Sequence, residues 1–347
     1  MIAFSLLPVK ITFLILFCCF CFSFNLKAQI TDDKANDFAK ADSMAGLYPN
    51  HSLINLKELA DKLTNPLDTD VDKFRAIFRW VCDNIESDYG FYVKNKAKRE
   101  KLHDKPGELE QWNKQSNPYF FRRLLHDHKT ICSGYAYLVK ELCFQAGITC
   151  KIIDGYGRTI DANIGGTGIP NHSWNAVYLA NQWYLCDATW SSGVIDSEQK
   201  QFISQFDEAY FLAPPALFVR NHYPLDTAWT LLKEKPTLHQ FLNGPLIYKK
   251  LFPYNALPVY PETFTATATK GEKFSFRFNK GSGLEIKKVE LQLVQGSRTI
   301  SVYPKLYTDA EGLTTIDYVF AHKGTYVVHI LFNGDYVFTY TVTVSSR

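Results

Sequence analysis

The sequence predicts an α+β fold, in which helices come before an antiparallel sheet and a second region made only of strands follows. Three observations predict it. Apolar residues recur at helical spacing in two segments between residues 69 and 147. The apolar pattern then changes to a period of two between residues 148 and 188. It keeps that period from about Thr263 to the end of the 347 residues, a length that favours two domains.

The first residues have the pattern of a secretory signal. Lys10 precedes an uninterrupted apolar run at residues 11–24, and the small Ala28 follows. The run is short for a membrane span, which needs about 20 residues. Residues 1–28 are therefore predicted to be a signal peptide. We expect export to the periplasm, the cell envelope or the medium, with no membrane span after cleavage. An uncleaved N-terminal anchor is the alternative.

Loss of this segment changes the charge and the cysteine content. It removes two lysines, so the net charge falls from +3 to about +1, which favours neither nucleic acid nor an anionic membrane as a partner. No pair of the remaining cysteines has Cys-x-x-Cys spacing, so neither a zinc site nor another cofactor is expected. An odd number of cysteines in an oxidising compartment indicates one free thiol, with the others bridged or buried. The remaining cysteines are Cys82, Cys132, Cys143, Cys150 and Cys186.

Helices are predicted first. Residues 32–63 are expected to form one or two short helices. A core helix follows, which begins at Thr69 and ends near Ser87, and Thr69 with Asp72 resembles a capping box. The apolar face of this helix consists of Val71, Phe74, Ile77, Phe78, Val81, Cys82 and Ile85.

A polar segment separates this helix from the next. Residues 94–115 are predicted to be a surface insertion that is flexible at least in part. The second core helix begins near Ile131 and stops before Gly147. Its apolar face consists of Tyr135, Leu138, Val139, Leu142, Cys143 and Ala146.

Strands are predicted at residues 148–156, 173–179 and 183–188. Ala180 and Asn181 are expected to join the last two strands as a two-residue hairpin turn. A Gly-rich loop precedes the second strand.

The C-terminal part is predicted to be a separate β domain. Residues 208–232 return to mixed helix and loop, and the proline-rich residues 253–261 are predicted to be a linker. About seven short strands in some 85 residues then favour an immunoglobulin-like β-sandwich at residues 262–347, which leaves residues 30–250 as the first domain. Because the sandwich carries no cysteine and no cluster of catalytic residue types, we expect a spacer or a binding surface for an envelope partner.

Cys132 is the candidate nucleophile. It lies in the first turn of the second core helix, where unpaired N–H groups and the positive end of the helix dipole stabilise a thiolate. Gly134 and Ala136 keep its surroundings small. For an isolated cysteine the commoner explanation is a buried small hydrophobe.

His172 and Asp187 add weight to the catalytic interpretation. In the hairpin register Leu179 faces Gln182 and Trp174 faces Asp187. His172 then lies diagonally from Asp187 on the same face, at a Cβ separation of about 7 Å or somewhat less. A register slip of one residue would put the two side chains on opposite faces. Taken alone, His172 or Asp187 would more often have a structural role than a catalytic one.

These segments together resemble the transglutaminase-core superfamily. The segments that carry the resemblance are residues 132–136 (CSGYA), 172–177 (HSWNAV) and 183–190 (WYLCDATW), with 79–81 (RWV) in the preceding helix. Three later segments resemble its kyphoscoliosis-peptidase branch: residues 210–214 (YFLAP), 222–224 (HYP) and 228–232 (AWTLL). The resemblance implies a papain-like core, in which the helix that carries the nucleophile packs on an antiparallel sheet. It also implies roles for Cys132 as nucleophile, His172 as base and Asp187 as the residue that orients the base.

The expected activity is that of a cysteine peptidase, amidase or transglutaminase on a protein or peptide substrate. In such a reaction the cysteine forms a thioester with the acyl group of the substrate. Either water or an amine then resolves this thioester, and we favour water. Trp174 and Trp190 either line the substrate site or pack in the core. Trp112 and Gln115 are candidates for the oxyanion-stabilising side chain by position only.

Two alternatives compete with the enzyme. One is a catalytically idle binding or assembly protein of the cell envelope. The other places Cys132 in a structural disulfide. No dense acidic loop for calcium is found in the sequence, so calcium-switched transglutaminases are a poor comparison.

Overall fold

The computed structural model describes residues 38–196 and 198–346. The α-helices of this part are α1 (Ala39–Gly46), α2 (Leu56–Thr64), α3 (Asp70–Asn84), α4 (Tyr89–Lys101), α5 (Pro106–Asp127), α6 (Cys132–Gln145), α7 (Ala188–Ser192), α8 (Pro215–Phe218) and α9 (Leu238–Asn243). The predicted signal peptide, residues 1–28, lies outside the described residues. Among the helices described, none is both long enough and apolar enough to cross a membrane.

The strands form the sheets of the core and of the C-terminal region. They are β1 (Glu86–Ser87), β2 (Lys129–Thr130), β3 (Cys150–Gly157), β4 (His172–Leu179), β5 (Gln182–Cys186), β6 (Gly193–Asp196), β7 (Gln201–Ser204), β8 (His222–Pro224), β9 (Leu246–Ile247), β10 (Ala256–Tyr260), β11 (Thr265–Thr269), β12 (Lys273–Lys280), β13 (Val289–Gln295), β14 (Arg298–Val302), β15 (Leu306–Thr308), β16 (Thr314–Val319), β17 (Gly324–Phe332) and β18 (Asp335–Ser345).

The predicted helices at the start of the core are confirmed. Helices α1 and α2 fall within residues 39–64, and α3 is the predicted core helix. Thr69 caps α3, because its hydroxyl accepts a hydrogen bond from the backbone N–H of Asp72 at 3.1 Å. The helix ends at Asn84, three residues before Ser87, because Ile85 is extended and leads into β1.

The polar insertion is helical, which the sequence did not predict. Residues 94–101 lie in α4 and residues 106–115 in α5, with a turn between the helices at residues 102–105. These helices bury few side chains, among them Phe91, Phe120 and Leu124, so the apolar pattern is too sparse to reveal them. Their many Lys, Glu, Gln and Arg residues favour helix without burial. The carboxylate of Asp88 caps α4 and pairs with Arg123 at 3.0 Å, which ties the two helices together.

The core sheet has the order β5-β4-β3-β8, and all its pairs are antiparallel. The predicted hairpin register is confirmed, since Leu179 pairs with Gln182. Ala180 and Asn181 both have positive φ, as a two-residue turn between twisted strands requires. Helix α6 packs on this sheet, where the side-chain amide of Asn175 donates to the carbonyl of Ala136 at 2.9 Å.

The C-terminal region is a β-sandwich, as predicted. One sheet has the order β10-β12-β16-β15 and the other β11-β18-β17-β13-β14, with β9 added to β18. Aromatic side chains of both sheets meet between them; the rings of Phe276 and Tyr340 are 5.3 Å apart. Residues 253–261 are no linker, because β10 pairs with β12. The prolines in this segment suggested a linker, but proline is also compatible with an edge strand such as β10.

One hydrophobic core runs through both regions. Trp174 and Leu185 of the core sheet belong to the same buried cluster as Phe276 and Val342 of the sandwich. The predicted domain limits, residues 30–250 and 262–347, stay a prediction. The shared core nevertheless indicates that the sandwich stabilises the sheet that carries the candidate site.

Candidate active site

Cys132 is the first residue of α6 and follows directly on β2 and Ile131. Gly134 allows the helix to start so close to β2, because a Cβ at this position would lie 2.8 Å from Thr130 Cβ and 2.9 Å from Phe120 Cζ. The sulfur therefore lies at the N-terminal end of the helix. It receives hydrogen bonds from His172 and from the backbone N–H of Ser173.

Cys132 and His172 have pKa values that favour an ion pair. Burial raises the pKa of the Cys132 thiol, but the charge of His172, the two hydrogen bonds and the more distant Arg99 lower it below its usual value. Burial likewise lowers the pKa of His172, but the charges of Asp187 and Cys132 raise it to about 10. The two shifts have opposite signs, and each favours the charged form of its group, a thiolate beside an imidazolium.

Asp187 holds the imidazole from the other side. His172 Nε2 lies 2.7 Å from Asp187 Oδ2, which leaves Nδ1 of the ring for Cys132. The other carboxylate oxygen caps α7, where it accepts from the N–H groups of Thr189 at 2.8 Å and Trp190 at 3.3 Å. Burial opposes ionisation of Asp187, but the two histidines that contact it hold its pKa well below the usual range.

The second histidine is His222, which sequence reasoning did not assign to the site. Its Nε2 lies 2.9 Å from the same Asp187 Oδ2, and its Nδ1 lies 2.7 Å from Asn221 Oδ1. The His222 ring is fully buried. Its centroid lies 4.1 Å from the ring centroid of Phe218 and 4.4 Å from that of Trp190. Burial lowers its pKa to about 4, so His222 is neutral and has a single N–H. On Nε2 this N–H donates to the ionised Asp187, which leaves Nδ1 without a proton toward Asn221. The short edge strand β8 brings it there; the only signal was the HYP segment at residues 222–224.

The two tryptophans differ in position. Trp190 lines a cavity beside Cys132 and contacts the His172 ring at 5.2 Å. Trp174 is 1% exposed, stacks on His172 at 6.1 Å and packs against Phe218. Its surroundings correspond to core packing, which was the alternative to substrate binding.

The cavity has a volume of about 580 Å³ and is lined by Cys132, His172 and parts of α4, α7, β6 and β9. Trp112 and Gln115 are not among its lining residues. Trp112 stacks on Phe91 at 6.2 Å, and Gln115 is exposed, so neither is placed to stabilise an oxyanion. Tyr92 lines the cavity instead, and its pKa is raised by burial, by Asp161 and by Cys132.

The other cysteines are thiols in the structure, as is Cys132, so no described cysteine bridges it. Burial raises the pKa of Cys82, Cys143 and Cys186, which makes them poor nucleophiles. Within the described ranges, His172, Asp187 and His222 are the residues whose ligand atoms lie close enough for a metal, within 4.8 Å of one another. The Nε2 atoms of the two histidines already form hydrogen bonds with Asp187 Oδ2.

Known proteins match this region of the chain. The family model described as the transglutaminase-like superfamily matches residues 57–188, which include Cys132, His172 and Asp187. Kyphoscoliosis peptidase of Mus musculus is 32% identical over 237 residues, which are 68% of this chain and 33% of the mouse protein. The Homo sapiens protein of the same name is 32% identical over 250 residues, 72% of this chain and 34% of the human protein. The chain thus spans about a third of the length of these relatives.

A solved structure of a TGase covers 55% of this chain and 40% of its own, at 16% identity and a TM-score of 0.25, a value too low to carry an argument. The sequence matches suffice for the class: the chain belongs to the transglutaminase-like superfamily, with a core of mixed helix and sheet. Within that superfamily it falls on the kyphoscoliosis-peptidase-like branch.

Proposed function

We propose that this chain is an exported cysteine enzyme that cleaves amide bonds of peptides or proteins through a thioester intermediate. The observation that carries the proposal is the hydrogen-bonded series Cys132–His172–Asp187 at the wall of a cavity large enough for a peptide segment. Export rests on residues 1–28 alone.

The first half of the reaction forms the acyl-enzyme. The Cys132 thiolate attacks the carbonyl carbon of the amide, and the negative charge moves to the carbonyl oxygen. The N–H of Cys132, which has no hydrogen-bond acceptor among the described residues, faces this oxygen at the start of α6. As the C–N bond breaks, the imidazolium of His172 gives its proton to the departing amine, and a thioester remains.

The second half releases the acyl group. His172, now neutral, takes a proton from water, and the resulting hydroxide attacks the thioester carbonyl. The C–S bond breaks, Cys132 leaves as thiolate, and His172 carries the proton again. Asp187 keeps one ring nitrogen directed to the sulfur throughout, and His222 fixes Asp187. An amine in place of water would give transamidation by the same steps; we favour water because no acceptor pocket is defined by the lining residues.

The test is the rate of Cys132 alkylation by iodoacetamide as a function of pH, with His172→Ala alongside and Cys132→Ser as the blank. A thiolate held by the ion pair reacts well below pH 8.5, the ordinary pKa of a cysteine, and the histidine variant loses this reactivity. Reaction only as an ordinary thiol would remove the enzyme proposal. Release of new amino termini from casein, compared with incorporation of a fluorescent amine, then distinguishes hydrolysis from transamidation.

A further inference from the structure

Arg158 is a buried cation in the wall of the Cys132 cavity. Its residue is 2% exposed, and it lines the cavity one position after the end of β3. The guanidinium donates to the carbonyl oxygens of Asn163 at 3.2 Å, Pro245 at 2.8 Å and Gly244 at 2.5 Å. These bonds use only part of its donors, and no carboxylate of the described residues pairs with it.

Burial of a charge without an anionic partner destabilises the folded state. Arginine is almost never fully buried without an anionic partner, because removal of its charge from water is unfavourable. Burial and the neighbouring Arg220 lower the pKa of Arg158 to about 10. Arg220 adds to the imbalance, since its own Nε atom is buried without a hydrogen-bond partner. Backbone carbonyls alone leave this positive charge unneutralised.

The other charged groups of the cavity are mostly matched. Lys96 lies 4.0 Å from Glu100, and Lys249 lies 3.3 Å from Asp207. Arg99 is the exception, since it bonds Asn95 Oδ1 at 2.8 Å and the carbonyl of Pro170 at 3.4 Å but no carboxylate.

Asp161 also lines the cavity, yet no ion pair joins it to Arg99 or Arg158 within the part of the chain that the structure describes. Arg99 and Arg158 thus line the cavity without an ion-pair partner among the described residues, and Arg99 also lowers the pKa of Cys132.

Arg158 is also close to the candidate catalytic residues. A Cβ added at the preceding Gly157 would lie 2.9 Å from His172 Cβ, and the N–H of Arg158 donates to the carbonyl of Asn221 at 2.9 Å, next to His222. A planar guanidinium held in this way matches the two oxygens of a carboxylate better than any other common anion of peptides.

We propose that Arg158, assisted by Arg99, is a carboxylate-binding subsite, and that the substrate is a peptide with a carboxylate near the amide bond that Cys132 attacks. The carboxylate belongs either to an acidic side chain or to a free C-terminus. This inference rests on the proposed function, and its test is separable from the reactivity of Cys132.

The first experiment compares alkylation of Cys132 by iodoacetate and by iodoacetamide, which differ in charge. We expect the rate with iodoacetate, divided by the rate with iodoacetamide, to fall by roughly ten-fold in Arg158→Gln and to persist in Arg158→Lys. Lys305→Gln, an exposed lysine of the sandwich, is the control for net charge. An unchanged ratio in Arg158→Gln, with reactivity toward iodoacetamide intact, would overturn the subsite.

The second experiment needs no chemistry at sulfur. Binding of acetyl-Ala-Glu-Ala-amide, acetyl-Ala-Ala-Ala with a free carboxylate, and neutral acetyl-Ala-Gln-Ala-amide is measured by calorimetry on Cys132→Ala. Tighter binding of the first peptide, by at least about ten-fold over the neutral one, identifies a side-chain carboxylate, and tighter binding of the second identifies the C-terminus. Equal affinity of all three overturns the proposal even if Cys132 proves reactive, and selective binding supports it even if Cys132 proves inert.

Discussion

Gly157→Ala tests whether the position of His172 controls the reactivity of Cys132. The added Cβ would lie 2.9 Å from His172 Cβ, 3.1 Å from Cγ and 3.4 Å from Cδ2. Ordinary carbon contacts begin near about 3.5 Å, so His172 has to move by roughly half an ångström. Gly157 has no left-handed backbone, so the variant has no conformational strain of its own.

The size of the effect follows from geometry. A misplacement of about 1 Å at a reacting group costs roughly a hundred-fold in rate, so we expect alkylation of Cys132 near neutral pH to slow by roughly ten- to a hundred-fold. The pKa of Cys132 should move up toward about 8.5 as the ion pair lengthens. Crowding should lower the free energy of unfolding by about 1–3 kcal/mol.

The assay is iodoacetamide alkylation across pH, together with unfolding in urea to confirm that the variant is folded. Gly107→Ala is the matched control, because a Cβ there has no neighbour within 4 Å. A folded Gly157→Ala protein that keeps the unaltered pH profile would refute the reasoning, since His172 would then not govern the thiolate.

Three further predictions concern the neighbours of the site. His222→Leu removes a hydrogen bond to ionised Asp187, so we expect the unfolding free energy measured in urea to fall by about 1.5–3 kcal/mol. His222→Gln should recover part of this loss. Equal stability of both variants and the unaltered protein would contradict the prediction. Asp187 has a depressed pKa, so its contribution to stability is present above about pH 4, the unfolded value, and is lost as pH falls further. Asp187→Asn should therefore show a flatter decline in unfolding free energy below pH 4, and a slope equal to that of the unaltered protein would count against it. Tyr92→Phe should slow peptide acylation by roughly ten-fold while iodoacetamide alkylation stays unchanged, if its hydroxyl binds the oxyanion; equal slowing of both reactions would assign Tyr92 to the ion pair instead.

The sequence predicted the part of the site that local rules determine. A two-residue turn leaves one register for β4 and β5, so His172 and Asp187 had to share a face. The apolar face at helical spacing placed the start of α6 near Ile131, and with it Cys132 in the first turn. The roles of these residues in catalysis stay a prediction.

The parts that were missed depend on long-range pairing. His222 reaches Asp187 through β8, a strand of three residues that has no alternation to detect. Arg158 follows a strand, where a charged residue normally indicates an exposed end, and only the fold buries it. Helices α4 and α5 carry too few apolar residues to show a helical period, although α4 supplies one side of the cavity.

Strand β9 gives the C-terminal sandwich a direct part in the shape of the cavity. Leu246 and Ile247 line the cavity and at the same time pair with Thr339 and Phe338 of β18, close to the end of the chain. Exchange of the sandwich for another domain by recombination would therefore replace the strand that supports one wall of the cavity. The shape of the cavity therefore depends on β18 of the sandwich as well as on the elements that surround Cys132.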